Sequence, residues 1–209
     1  MPATRIPTVP ARRRNAAATR QAILGSARKA FARAGYDGVG VREIAKGAGV
    51  TAMLINRYFG SKEKLFAEVV AETIATPSIL TQEIVTSASA GEDIAAALIE
   101  QTESGATPLD GFLIMLHSTS SKRAASINRK LIEASHQKAM TAALRGKSAP
   151  QRAALVLSLI AGFQVMRQMI GLSALAEADH KELVKILAPL FQQLVEGVTP
   201  SRNQRRNKT

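Results

Sequence analysis

The sequence predicts an all-α protein, and three observations carry that prediction. Apolar residues recur three or four positions apart through most of the chain, the spacing that lines one face of a helix. No run of alternating β-branched residues is long enough to build a sheet. Glycine, serine, threonine and proline fall between the periodic stretches, where helices stop and start. No internal repeat interrupts the pattern.

Residues 1–16 are rich in Pro, Arg and Ala without periodicity and are expected to form a disordered basic arm. From Thr19, the positions Ile23, Ala27, Ala30, Phe31 and Ala34 keep helical spacing up to Gly35, and Gly38 and Gly40 make the next loop. A short helix from Val41 to Lys46 turns Ile44 and Ala45 inward. Gly47 and Gly49 flank Ala48, and a glycine just past a helix end can take the left-handed conformation that stops it. Thr51 then offers a hydroxyl to cap a helix from Ala52 to Tyr58. Its Leu54 and Ile55 pack back on the preceding helix, while Ala52, Met53, Asn56 and Arg57 face outward. Two short helices across so tight a turn make a helix-turn-helix, whose second helix enters the DNA major groove. Ser61 caps a fourth helix whose Leu65, Phe66, Val69 and Val70 face the first, and which is expected to end near Pro77.

The rest of the chain fits a helical body, bringing the total to about nine helices. Residues 76–91 suit a short helix or a loop equally well; further helices follow at about 92–103, 109–118, 122–146, 150–172 and 178–197. Pro150 suits a first helical turn, and Pro189, inside the last helix, removes one backbone hydrogen bond. The last two helices are apolar on two sides, so they are either buried inside the body or packed against a partner. This gives a DNA-binding domain over 17–65, a body over 66–197, and a disordered basic tail over 198–209.

The segment from Thr19 to Val69, roughly a quarter of the chain, resembles the DNA-binding domain of the tetracycline-repressor-like (TetR) family of bacterial regulators. The resemblance rests on Ile44, Ala45, Ala48, Gly49 and Val50, the pair Tyr58-Phe59, Ser61-Lys62-Glu63 before Leu65, and upstream Phe31, Ala34, Gly35 and Tyr36. One position departs: the family commonly carries an aromatic, often Tyr, where this chain has Asn56, so no family base contact is carried over there. The resemblance implies a homodimeric transcriptional regulator, most simply a repressor, on double-stranded DNA with an inverted-repeat operator. It places Arg42, Thr51, Ala52, Met53, Asn56, Arg57, Tyr58 and Lys62 on or beside the DNA-reading surface. Arg and Asn can bond guanine and adenine edges in pairs, whereas Tyr58 and Lys62 suit phosphates, which fix register without reading sequence. It also implies a dimer interface on the last two helices, drawn here through Leu159, Phe163, Leu183, Leu187, Phe191 and Leu194.

Charge agrees with this division. The chain has 28 Lys and Arg against 16 Asp and Glu, a net charge of +12. Residues 1–20 and 198–209 carry nine basic residues and no acid, residues 21–65 carry a net +5, and residues 66–197 a net −2. The basic surface thus lies on the DNA-binding segment and the tails, the footprint of a nucleic-acid binder whose second domain does something else. For the C-terminal tail, solubility alone is an equal explanation.

Several functions are excluded or disfavoured. With no cysteine, disulfides, thiol catalysis and cysteine-based zinc sites are absent, and His117, His136 and His180 lack metal-ligand spacing, so no metal or cofactor is expected. Ser118, Thr119, Ser120 and Ser121 beside His117 tempt a nucleophile reading, but no strained turn exposes a serine there; the run is expected to end a helix, and no enzyme is expected. The N-terminus lacks the apolar core of a secretory signal, and the apolar stretch from Ala153 to Met166 is short for a membrane span; the protein is expected in the cytoplasm, off the membrane.

Two function classes remain. In one, a small molecule enters the body and releases the repressor from DNA; in the other, a DNA-binding or architectural protein has no small-molecule effector and answers to a protein partner. An effector cavity is expected among Phe112, Met115, Leu116, His117, Met140, Gln164 and Met166, with Phe163, Met169 and Gln137 near it. No Trp and only two Tyr argue against an aromatic cage for flat cations, so the expected effector is largely apolar, uncharged or weakly acidic.

Overall fold

The computed structural model describes residues 11–74, 79–103 and 109–197, and every regular element among them is helical. The helices are α1 (Ala11–Ala34), α2 (Val41–Gly47), α3 (Ala52–Phe59), α4 (Lys62–Ile74), α5 (Gln82–Thr86), α6 (Ala90–Gln101), α7 (Asp110–His117), α8 (Lys122–Ile132), α9 (Lys138–Ala143), α10 (Ala149–Gln164), α11 (Ser173–Ala176) and α12 (His180–Glu196). A π-helical stretch, Glu133–Gln137, joins α8 to α9, and a second, Val165–Met169, extends α10.

Helix α1 begins well before the expected start. Residues 11–16, expected in a disordered arm, are helical, while residues 1–10 and the tail 198–209 lie outside the described residues. Alanine and arginine favour helix even where no face is buried, and periodicity cannot detect such a turn. The expected end of α4 near Pro77 also falls outside the described residues, and of the open alternative over 76–91 the described part, 79–91, holds the short helix α5 and the start of α6.

The described helices pack as two compact units, residues 11–74 with 109–131 and residues 79–103 with 132–197. These units cut the chain differently from the 17–65 and 66–197 division. Helix α7 is the cause: its Ile114 is fully buried in the same core as Ile23, Phe31, Ile44, Ile55, Leu65, Phe66, Val69 and Val70. Helical spacing shows that α7 has an apolar face but not which distant core receives it.

In the first unit, α1 ends where Gly35 turns to φ +66° and its N–H reaches the Phe31 carbonyl at 2.8 Å. A side chain at Gly35 would lie 2.3 Å from the His117 carbonyl oxygen, so both backbone angle and space demand glycine there. His117 Nδ1–H donates to the Ala32 carbonyl at 2.7 Å, and the buried Ser118 hydroxyl accepts the Tyr36 N–H at 3.0 Å. The serine run does end a helix, and the side chains of His117 and Ser118 anchor the loop after α1.

In the second unit, α6 and α12 approach closely at Gly91, whose N–H donates to Gln192 Oε1 at 2.7 Å. A Cβ at Gly91 would sit 2.4 Å from the Ala188 carbonyl oxygen. Leu183, Leu187 and Phe191 face inward, 5%, 7% and 0% exposed, and Phe163 is 7% exposed. Four of the six residues expected at a partner interface are thus buried in the chain's own core with Ile94, Leu98 and Val156. Leu159 and Leu194 are half-buried beside them. The exposed apolar residues on α10 and α12 are instead Leu155, Ile186 and Leu190. A helix apolar on two sides gives the same pattern for either assignment, and only packing decides which side turns inward.

From Ala149 to Met169 the helix is long and apolar enough to cross a membrane by length and composition, and it extends beyond both ends of the Ala153–Met166 stretch that is short for a span. Two arginines on it are buried, and among the described residues neither bonds a carboxylate directly. Arg152 donates to the Leu194 and Val195 carbonyls at 2.8 Å, to Lys147 O at 3.2 Å, and to Arg145 O. Arg167 donates to Ile99 O and Thr102 Oγ1 at 2.9 Å and to His180 Nε2 at 3.1 Å. Each charge is thereby solvated by carbonyls at the C-terminal end of a neighbouring helix, α12 for Arg152 and α6 for Arg167, where the helix dipole favours a cation. Arginine only donates, so His180 Nε2 accepts and its Nδ1 faces Glu103 at 3.1 Å.

Candidate nucleic-acid interface

The turn between α2 and α3 forms by a glycine stop. Gly49 adopts φ +67°, its N–H reaches Lys46 O at 3.2 Å, and Val50 N–H reaches Ala45 O at 3.0 Å. That pair of bonds closes the last carbonyls of α2 and fixes the angle at which α3 leaves. Gly47 serves close packing instead. A Cβ there would meet Ser26 Oγ at 2.4 Å, and that hydroxyl already donates to Ile44 O at 2.8 Å.

Thr51 occupies the N-cap of α3, yet its hydroxyl makes no capping bond, contrary to the expectation. The first turn closes through backbone alone, Leu54 N–H to Thr51 O at 3.0 Å, and Thr51 itself stays exposed on the outer face. Ser61 does cap α4, accepting Lys64 N–H at 3.2 Å. Ile55 and Phe59 bury the inner face of α3, whereas Leu54, expected in the core, is half-buried. Outward lie Met53, 79% exposed, with Asn56 and Arg57; Arg42 is exposed on α2, and Ala52, Tyr58 and Lys62 are half-buried at the edges.

The electrostatics of this unit are sorted. Between residues 41 and 74 there are four glutamates, and each is ion-paired: Glu43 with Arg33, Glu68 with Arg20, Glu72 with Arg28 at 3.1 Å, and Glu63 with Arg123 at 2.5 Å. Among the described residues no carboxylate pairs with Arg42, Lys46, Arg57, Lys62 or Lys64. Such exposed pairs add little stability. Their effect here is to cancel acidic charge and leave a set of cations on and around α3. Lys62 Nζ rests 4.4 Å from the Tyr36 ring centroid; burial pulls its ammonium below the usual lysine value, with Asp37 opposing. Burial, with Glu63, pushes the Tyr36 phenol up, and Arg123 partly offsets this.

Sequence reasoning did not find Lys46, Lys64, the glutamate partners or Arg123. The lysines flank the motif and were legible as exposed charge; Arg123 lies 60 positions from Glu63, and nothing in the sequence links them.

The residues expected to line an effector cavity are not gathered in one unit. Phe112, Met115, Leu116 and His117 belong to α7 in the first; Met140, Gln164 and Met166 belong to the second. Leu116 and Met166 are 38% and 45% exposed, Met140 is buried, and Phe112, Met115 and Gln164 are half-buried. An open depression of about 470 Å³ lies along Glu133, Gln137, Lys138, Thr141 and Ala142. Of the residues considered for the cavity, it includes Gln137.

An all-α chain with a helix-turn-helix whose outer face is cationic defines a DNA-binding regulator. Residues 23–69 match the bacterial regulatory proteins of the tetR family, and residues 88–195 match the tetracyclin repressor-like C-terminal domain. The chain belongs to the TetR family of transcriptional regulators. Over 57 residues it is 42% identical to the HTH-type transcriptional repressor AcnR of Corynebacterium efficiens, a match spanning 27% of this chain and 30% of that one. A TetR-family regulator from Streptomyces coelicolor A3 aligns at 25% identity and TM-score 0.51, over 86% of this chain and 95% of that one. Two others share the fold: FadR of Bacillus subtilis, solved with stearoyl-CoA (18% identity, TM-score 0.58, 86% and 99% covered), and Salmonella enterica GusR (16%, 0.62, 85% and 95%).

Proposed function

We propose that the protein is a homodimeric repressor that reads an inverted-repeat operator and is released by a small, largely apolar effector. The observation that carries the DNA reading is the sorted charge of the first unit, with every glutamate of residues 41–74 paired and the α3 face left cationic. On this reading residues 17–65 contact DNA and residues 66–197 hold the effector and the partner subunit. Asn56 and Arg57 read base edges, Met53 meets a thymine methyl, and Arg42, Thr51, Tyr58 and Lys62 hold phosphates, with Ala52 allowing close approach. The protein then works on the chromosome, in the cytoplasm. Support for repression comes from AcnR, a repressor, and support for an apolar effector from FadR, solved in complex with stearoyl-CoA.

An effector-free regulator answering to a protein partner is the second reading. It draws on the engagement of His117, expected to orient a ligand, with the Ala32 carbonyl of its own unit.

The test begins with selection of duplexes from a random pool, which should enrich an inverted repeat. Asn56→Ala should then lose about 1–3 kcal/mol on the enriched duplex and relax one base position. Lys62→Ala should weaken enriched and random duplexes alike and flatten the salt dependence. Failure to enrich any sequence would remove the operator from the proposal; equal loss for both variants on both duplexes would remove the division between base and phosphate contacts.

A further inference from the structure

Three of the four ion pairs that neutralise the first unit's glutamates use arginines of α1; the fourth uses Arg123, at the start of α8. Glu63 stands between Lys62 and Lys64 in the first turn of α4, the helix end that carries two cations of the DNA-facing set. Arg123 Nε holds that carboxylate at 2.5 Å, and both charges act on the Tyr36 phenol, Glu63 pushing its pKa up and Arg123 pulling it down. The Tyr36 ring is held in place. It is 6% exposed, meets Phe66 edge-on at 5.0 Å, and its N–H is held by Ser118 Oγ. On that ring rests the Lys62 ammonium. One guanidinium therefore pairs with the carboxylate that follows Lys62 in the chain and lies in the field of the phenol whose ring supports the Lys62 ammonium.

We propose that Arg123, from outside the helix-turn-helix, is a positioning residue for DNA phosphate binding, because it neutralises the Glu63 carboxylate at the helix end that carries Lys62 and Lys64. This rests on the reading of Lys62 as a phosphate contact. Without Arg123, the Glu63 carboxylate stands unpaired at the helix end that bears Lys62 and Lys64, and repels the incoming phosphate. The loss is electrostatic and independent of base sequence. Because Glu63 is the source of the repulsion, removing its charge restores binding.

The full chain is titrated by fluorescence anisotropy with an enriched duplex and a random duplex over a range of salt. Arg123→Gln should lose about threefold to tenfold in affinity on both duplexes alike, two heads each losing one exposed pair. The double variant Glu63→Gln/Arg123→Gln should return to within about twofold of wild type, and Arg123→Lys should keep most of the affinity. Arg123 is 67% exposed as a side chain, so melting curves should overlay for all variants. If Arg123→Gln binds like wild type while Lys62→Ala weakens both duplexes, the positioning role is overturned and the Lys62 reading stands. If Lys62→Ala itself binds like wild type, the Lys62 reading fails and the proposal falls with it. A double variant as weak as Arg123→Gln would mean that Arg123 touches DNA itself, which also overturns the proposal.

Discussion

His136 lies in the first π-helical stretch, and burial pulls its imidazole below the ordinary value of 6.5. The folded chain therefore keeps this ring neutral at a pH where the unfolded chain has already charged it. Unfolding takes up a proton once the pH falls below about 6.5, so stability is lost on acidification from there and is unaffected by this group above it. His136→Gln should flatten the melting temperature between about pH 5 and 7 relative to wild type; an unchanged slope would assign the acid sensitivity to other groups. At this scale the sequence was informative about residue types and uninformative about partners. The outer face of α3 was legible because helical spacing separates Asn56 and Arg57 from Ile55. The Thr51 hydroxyl reads as a cap because threonine at that position usually is one, but the backbone alone closes the turn. Pairing such as Glu63 with Arg123 depends on tertiary contact and leaves no local trace.

Two helical glycines show how an element's surroundings set the sign of one substitution. Gly25 lies exposed inside α1 with nothing within 4 Å of an added Cβ. Gly25→Ala should raise stability by about 0.5–1 kcal/mol, since alanine loses less backbone freedom in a helix. Gly91, in α6, offers the same propensity gain, but its Cβ would sit 2.4 Å from Ala188 O and 2.8 Å from Gln192 N, both backbone atoms. Overpacking against atoms that cannot swing aside costs about 1–3 kcal/mol, so Gly91→Ala should destabilise. Denaturant midpoints for the two variants should therefore move in opposite directions; a shift of both to higher stability would mean that α6 and α12 separate without penalty. Helix existence was largely legible here. The boundaries that the sequence misplaces, such as the start of α1, are those where helix propensity rather than apolar spacing sets the end.

For the whole molecule, the corrected burial moves the proposed dimer face by one step around α12. Leu155 and Leu159 on α10, with Ile186, Leu190 and Leu194 on α12, each recur at four-residue spacing and are exposed or half-buried. Ile186→Glu with Leu190→Glu should yield a folded monomer by sedimentation. Leu187→Glu with Phe191→Glu should instead unfold the second unit, because it buries charge beside α6. A folded monomer from the second pair, with an intact dimer from the first, would return the interface to the residues expected from the sequence. Class and motif were legible because the helix-turn-helix is local: a stop, a short turn and a second helix lie within about 20 residues of each other. Membership of α7 in the first unit was not, because 35 residues separate it from the end of α4 and both possible cores accept an apolar face.

The stretch Glu133–Gln137 has a meaning for ancestry. A π-helical turn is an α-helix that has absorbed one extra residue without breaking, and each residue of an α-helix advances the chain by about 100° around the axis. Relatives whose corresponding helix runs straight from α8 into α9 should therefore align with a single-residue gap between 133 and 137. A chain shortened by one residue within that stretch should fold with the ordinary pitch and turn every side chain from Lys138 to Ala143 onto a different face. The register of that one turn thus decides which residues of α9 face the rest of the second unit.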